Sequence, residues 1–127
     1  MRILGHGVDI VDTARVAQML EQHGDRFLAR CFTDGERAYA AAHPKRQTEH
    51  LAGRFAAKEA VLKALGTGWS GGIAWTDVEV VREGNTAPQV RLHGEAAAVA
   101  RQLGVSQWSL SLSHIHTHAV ASAIAMG

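Results

Sequence analysis

Residues 51–68, LAGRFAAKEAVLKALGTG, constrain this chain more than any other stretch. Ala, Leu, Lys and Glu dominate and no proline interrupts, so local preference favours a helix. Leu51, Phe55, Leu62 and Leu65 fall within roughly 80° of one another on a helical wheel turning about 100° per residue. Glu59 lies beside Phe55 at the edge of that apolar stripe, Lys63 follows at i+4, and Arg54 flanks the other edge. A carboxylate entering an apolar surface must be protonated, paired or bound to a cation. Two readings stand at this point: an ordinary i,i+4 ion pair worth about 0.3 kcal/mol, or a carboxylate held for a ligand. Gly66 ends the helix, and the following GTGWSGG run can bring backbone close to a ligand.

The remaining 3–11 stretch, ILGHGVDIV, reads as a strand. Alternation puts Leu4, His6, Val8 and Ile10 on one face and Ile3, Gly5, Gly7, Asp9 and Val11 on the other. Asp9 would then sit beside two glycines that leave open space. Asp12 is the natural cap of the next helix, Thr13 to His23, which leaves Asp9 without a structural duty. Thr33 and Glu36 have capping-box spacing and open a helix to about Ala42, broken by His43-Pro44. Lys45 and Arg46 stand just before the central helix, where an anion is favoured. Strands follow at Trp75–Arg82 and Gln89–Leu92, then a helix at Glu95–Leu103 closed by Gly104, then strands at Trp108–His114 and Ala119–Ala125. The order β-α-α-α-β-β-α-β-β predicts an α+β fold, with a largely antiparallel sheet around a long central helix.

At 127 residues the chain has room for one core, so a single domain over 1–127 is expected. A formal charge of +1 excludes a dedicated nucleic-acid binder. Basic residues outnumber acidic ones only in the first half, which suits an anionic ligand or acidic partner. The one cysteine, Cys31, lies in an apolar run and reads as a buried structural thiol in a reducing compartment. No run is long enough to span a bilayer, and Asp9 and Asp12 spoil a signal peptide, so a cytoplasmic protein is expected.

Three segments stand together: GVDIVD at 7–12, GRFAAKEAVLKALGTG at 53–68 and LSLSH at 110–114. With FT-x-x-E at 32–36 and KR at 45–46, the chain resembles the holo-acyl-carrier-protein synthase family, the small type of 4'-phosphopantetheinyl transferase. The resemblance implies magnesium-dependent transfer of 4'-phosphopantetheine from coenzyme A to a serine of apo acyl carrier protein, in the service of fatty acid biosynthesis. It implies Asp9 and Glu59 as magnesium ligands, with Glu59 and Lys63 as the catalytic pair. Lys63, Lys45, Arg46, Arg54 and His114 would meet the coenzyme A phosphates, and Gly66 and Gly68 would allow close backbone approach. It also implies a homotrimer with active sites between subunits. The acidic carrier would dock on Arg15, Met19, Gln22 and Arg26. Some family members are thought to use an aspartate in the helix after FT-x-x-E as general base. Here that helix reads Glu36-Arg37-Ala38-Tyr39, Glu36 serves as a cap, and Glu59 or a metal-polarised water remain as bases.

Two competing readings belong to other classes. His114, His116 and His118 form H-x-H-x-H, and three histidines can hold zinc with one position open. A non-catalytic coenzyme A or nucleotide binder on the same scaffold is the other.

Overall fold

Strand β1, Ile3–Asp12, lies so close to the central helix α4, Gln47–Leu65, that only glycine fits between them. A Cβ added at Gly5 would sit 2.0 Å from the carbonyl oxygen of Ala64, and one at Gly7 would sit 1.9 Å from that of Ala60. The glycines beside Asp9 therefore do not leave open space, as alternation alone suggested; the helix backbone fills it. Gly7→Ala is expected to destabilise the fold by about 3 kcal/mol, because rigid main chain has to move. A urea titration measures this; an unchanged midpoint would contradict the packing.

The computed structural model describes residues 1–127. After β1 come α1 (Thr13–His23), α2 (Asp25–Cys31), α3 (Asp34–Ala41), a 3-10 turn at Pro44–Arg46 and then α4. A second 3-10 turn at Trp75–Asp77 leads into β2 (Val78–Val81) and β3 (Gln89–Leu92), followed by α5 (Gly94–Leu103), β4 (Gln107–His114) and β5 (His118–Met126). All strand pairings are antiparallel. The expected sheet is two sheets: β1-β5-β4, which packs on α4, and a separate β2-β3 ribbon. Register sets Asp9 opposite Ala121 and Asp12 opposite His118. A register shift between Ile3 and Gly5 turns Ile3 outward, against the simple alternation.

Helix α4 begins at Gln47, before the stretch that announces it, and is buried nearly all round rather than along one stripe. Its alanines at 52, 56, 57, 60 and 64 let neighbours approach from several sides. Beyond its first turn, the positions not buried are Phe55, Glu59 and Lys63, spaced at i, i+4 and i+8 along one side. Arg54, expected at the rim of a stripe, is only 5% exposed.

Asp12 caps α1 through Ala14, and Thr33 and Glu36 form the anticipated capping box on α3. Helix α2 escapes the sequence reading because it is seven residues long and starts directly at Gly24, the residue that stops α1. It inserts Phe27 and Cys31, one turn apart, into the core, where Phe27 meets Phe32 edge to face at 5.6 Å. Cys31 is a free, buried thiol, and burial pushes its pKa up, as befits a structural residue. No helix is long and apolar enough to cross a membrane.

Candidate active site

Asp9 comes off the inner face of β1, and Glu59 and Lys63 come off the open side of α4. The Lys63 ammonium lies 3.1 Å from Asp9 Oδ1 and donates to the carbonyl of Val8 at 3.0 Å. Glu59 Oε1 accepts a hydrogen bond from Trp69 Nε1 at 3.2 Å. Trp69 packs on Trp75 with ring centroids 3.7 Å apart, and Trp75 stacks on Phe55 at 4.6 Å. Phe55 and Trp75 wall one side of a cleft of about 620 Å³ that Asp9, Glu59, Lys63, Asp12, Arg15 and His118 also line. The structure thus brings Asp9, Glu59 and Lys63 together.

Lys45 and Arg46 line a neighbouring cleft of about 590 Å³ at the starts of α1 and α4. The two clefts share Asp12 and His118. This hollow, cationic at Lys45 and Arg46 though Asp12 and Glu49 also line it, adjoins the carboxylate-bearing one, an arrangement suited to a molecule carrying several phosphates and a metal.

Arg54 and His114 belong to neither cleft. The Arg54 guanidinium sits 4.5 Å over the Tyr39 ring, and its Nε has no hydrogen-bond partner. Burial presses its pKa downward, with Tyr39 opposing. His114 Nδ1 lies 3.0 Å from Glu49 Oε2, and its ring stands 6.3 Å from that of His50. Burial, then the neighbouring Arg54 cation, lower the pKa of His50. Gly66 caps α4 in a left-handed conformation, φ 78°, and Gly68 follows at φ 57°; neither lines the cleft.

A third hollow of about 380 Å³ contains Arg15, Met19 and Arg26 with Phe27, Phe55 and Trp75. It joins the carboxylate cleft through Arg15, Phe55 and Trp75. Gln22 is exposed on α1 but stands outside this wall, while His23 and Arg30 belong to it.

The sequence reading passed over Lys58. It is wholly buried, its ammonium 2.8 Å from Glu36 Oε1, and it donates to the carbonyls of Trp75, at 3.1 Å, and Val78. Burial lowers its pKa, with the Glu36 carboxylate opposing. Glu36 also accepts from the amides of Thr33 and Val80, at 2.9 and 2.8 Å. Both of its oxygens are engaged, which fits a cap and tie rather than a base.

The zinc reading of H-x-H-x-H fails on geometry. The His116 side chain is 96% exposed with Nδ1 3.8 Å from Glu49 and lines the Lys45 cleft alone, whereas His118 lines both clefts. No three His, Cys, Asp or Glu side chains anywhere in the chain are placed to hold a metal together.

The profile of the 4'-phosphopantetheinyl transferase superfamily matches residues 5–123, and the chain belongs to that family. It is 48% identical to the holo-[acyl-carrier-protein] synthase of Koribacter versatilis, over 96% of this chain and 97% of that one. The crystal structure of the Neisseria meningitidis holo-[acyl-carrier-protein] synthase aligns with a TM-score of 0.87 at 30% identity, covering 99% of this chain and all of that one. A Bacillus anthracis holo-(acyl-carrier-protein) synthase in complex with coenzyme A (3',5'-ADP) aligns at 0.78 and 35% identity, covering 97% of this chain and 96% of that one.

Proposed function

We propose that residues 1–127 form one transferase domain that moves 4'-phosphopantetheine from coenzyme A to a serine of apo acyl carrier protein, releasing adenosine 3',5'-bisphosphate. The observation that carries this reading is the meeting of Asp9, Glu59 and Lys63 in one cleft, next to the Lys45 and Arg46 cleft. Near full-length relatedness to holo-acyl-carrier-protein synthases supports it.

The donor set fits magnesium. Two hard carboxylate oxygens, with no third protein ligand in reach, suit a cation that takes few carboxylates and completes its shell with water and substrate phosphate. When bound, the metal neutralises charge gathering on the phosphates during transfer. Lys63 already pairs with Asp9 and is free to turn its exposed ammonium to a phosphate oxygen. Lys45 and Arg46 hold the outer phosphates. Arg54, buried against Tyr39, and His114, paired with Glu49, line neither cleft, so within one chain the phosphates take no contact from them.

The resemblance to this family implies a homotrimer with sites between subunits. The outer face of β1 and β5 points the same way: Val8 is 55% exposed and Ile10 66%, with Leu4 and Val120 beside them. The enzyme acts in the cytoplasm, where acyl chains are built and a free thiol such as Cys31 persists.

The groove along α1 receives the acidic carrier. Arg15→Glu is expected to raise the KM for apo acyl carrier protein roughly 30-fold with little change in kcat, by placing like charges together. Initial rates at varied carrier concentration measure it; an unchanged KM would move the docking surface elsewhere. The activity itself is tested by intact-mass spectrometry of apo acyl carrier protein incubated with coenzyme A and magnesium. A gain of one phosphopantetheine, abolished by EDTA, is expected; no gain with any carrier would leave a coenzyme A-binding module.

A further inference from the structure

The reaction needs an acceptor for the proton of the carrier serine, and the cleft offers few. Asp9 is paired with Lys63, and Glu59 with Trp69. Both are the proposed magnesium ligands, and a carboxylate bound to a cation is a poor proton acceptor. Asp12 is committed to the amide of Ala14 at 2.9 Å as the cap of α1. Arg15 and Lys63 are cations with no lone pair to offer. His118 remains.

His118 opens β5, opposite Asp12 in the sheet register, and stands on the ridge shared by the carboxylate and cationic clefts. Its Nδ1 lies 2.9 Å from Thr117 Oγ1. With Nδ1–H donated to that hydroxyl, the lone pair sits on Nε2, and no protein group claims it. Across the cationic cleft stand Lys45, Arg46 and Glu49, with His116 on the same turn. Arg15, the proposed carrier contact, lines the carboxylate cleft together with His118, so a serine delivered along α1 enters beside this histidine.

We propose that His118 is the general base of the transfer, an inference that rests on the transferase reading above. The serine proton passes to Nε2 while Oγ bonds to the β-phosphorus of coenzyme A. The bond from that phosphorus to the bridging oxygen breaks, and its electron pair leaves on adenosine 3',5'-bisphosphate. The imidazolium then releases the proton to water.

The test compares wild type with His118→Gln and His118→Ala. Both changes fall on an exposed side chain whose backbone bonding stays intact. Loss of a positioned base lowers kcat by about 10²-fold. Coenzyme A affinity by calorimetry should be unchanged, and added imidazole should restore turnover in His118→Ala. An undiminished kcat, or a loss confined to KM or to coenzyme A affinity, would overturn the assignment. Wild type that transfers nothing would instead sink the transferase reading, so the two failures are distinguishable.

Discussion

Glu59→Gln lowers kcat for phosphopantetheine transfer by about 10³-fold, the equivalent of several kcal/mol of charge stabilisation. The substitution is chosen to remove charge and little else. The amide oxygen of glutamine can still accept from Trp69 Nε1, so the Trp69–Trp75–Phe55 wall keeps its anchor. Only the proposed anionic ligand to magnesium is lost. Quenched time points read by intact-mass spectrometry give the rate, and calorimetric titration of magnesium into the enzyme–coenzyme A complex gives a second readout. A weakened magnesium isotherm should accompany the lost turnover. If transfer continues at the wild-type rate, the function stands and the metal assignment to Glu59 falls.

Lys58→Ala destabilises the protein by about 4 kcal/mol, the usual consequence of leaving one member of a buried ion pair alone. Lys58 and the Glu36 side chain are both fully buried, and three tethers converge on the ammonium: Glu36, the carbonyl of Trp75 and that of Val78. Alanine leaves the Glu36 carboxylate charged in the core and the two carbonyls short of a donor. Against a total stability of about 5–15 kcal/mol, this is a large share. Urea unfolding of Lys58→Ala, Glu36→Gln and the double variant forms a cycle. The double variant should be more stable than the sum of the single losses predicts, because the orphaned charge is gone. Strict additivity would mean that the pair does not interact as described.

Much of the site was legible because two periodicities are robust. Period-two alternation put Asp9 on the inward face of β1, and the helical period put Glu59 beside Phe55. Both residues then appeared where a structural role did not account for them. Alternation names a face but not its occupant, so the space beside Gly5 and Gly7 was read as empty when α4 fills it. Lys58 left no local trace, since its partner Glu36 lies in another helix and only tertiary packing joins them. Arg54 and His114 resemble site residues by motif, yet a single chain keeps both away from the carboxylates. His118 stood in the sequence only as one of three turn histidines, because a strand pattern stops at the turn and only the Asp12 register shows which way β5 begins. Helix α2 spans too few residues for any period to declare itself.

The contact of Gly5 and Gly7 with Ala60 and Ala64 has a bearing on how the site is lost as well as how it is held. Asp9 stands on one of these backbones and Glu59 on the other, and no long side chain between them can act as a spring. Their separation is a property of the main chain. Amide protons of β1 and of the middle of α4 should therefore exchange with solvent only through global opening, at a common free energy. No partly open form would keep half of the proposed metal site. The carboxylates meet when the molecule folds and part only when it unfolds.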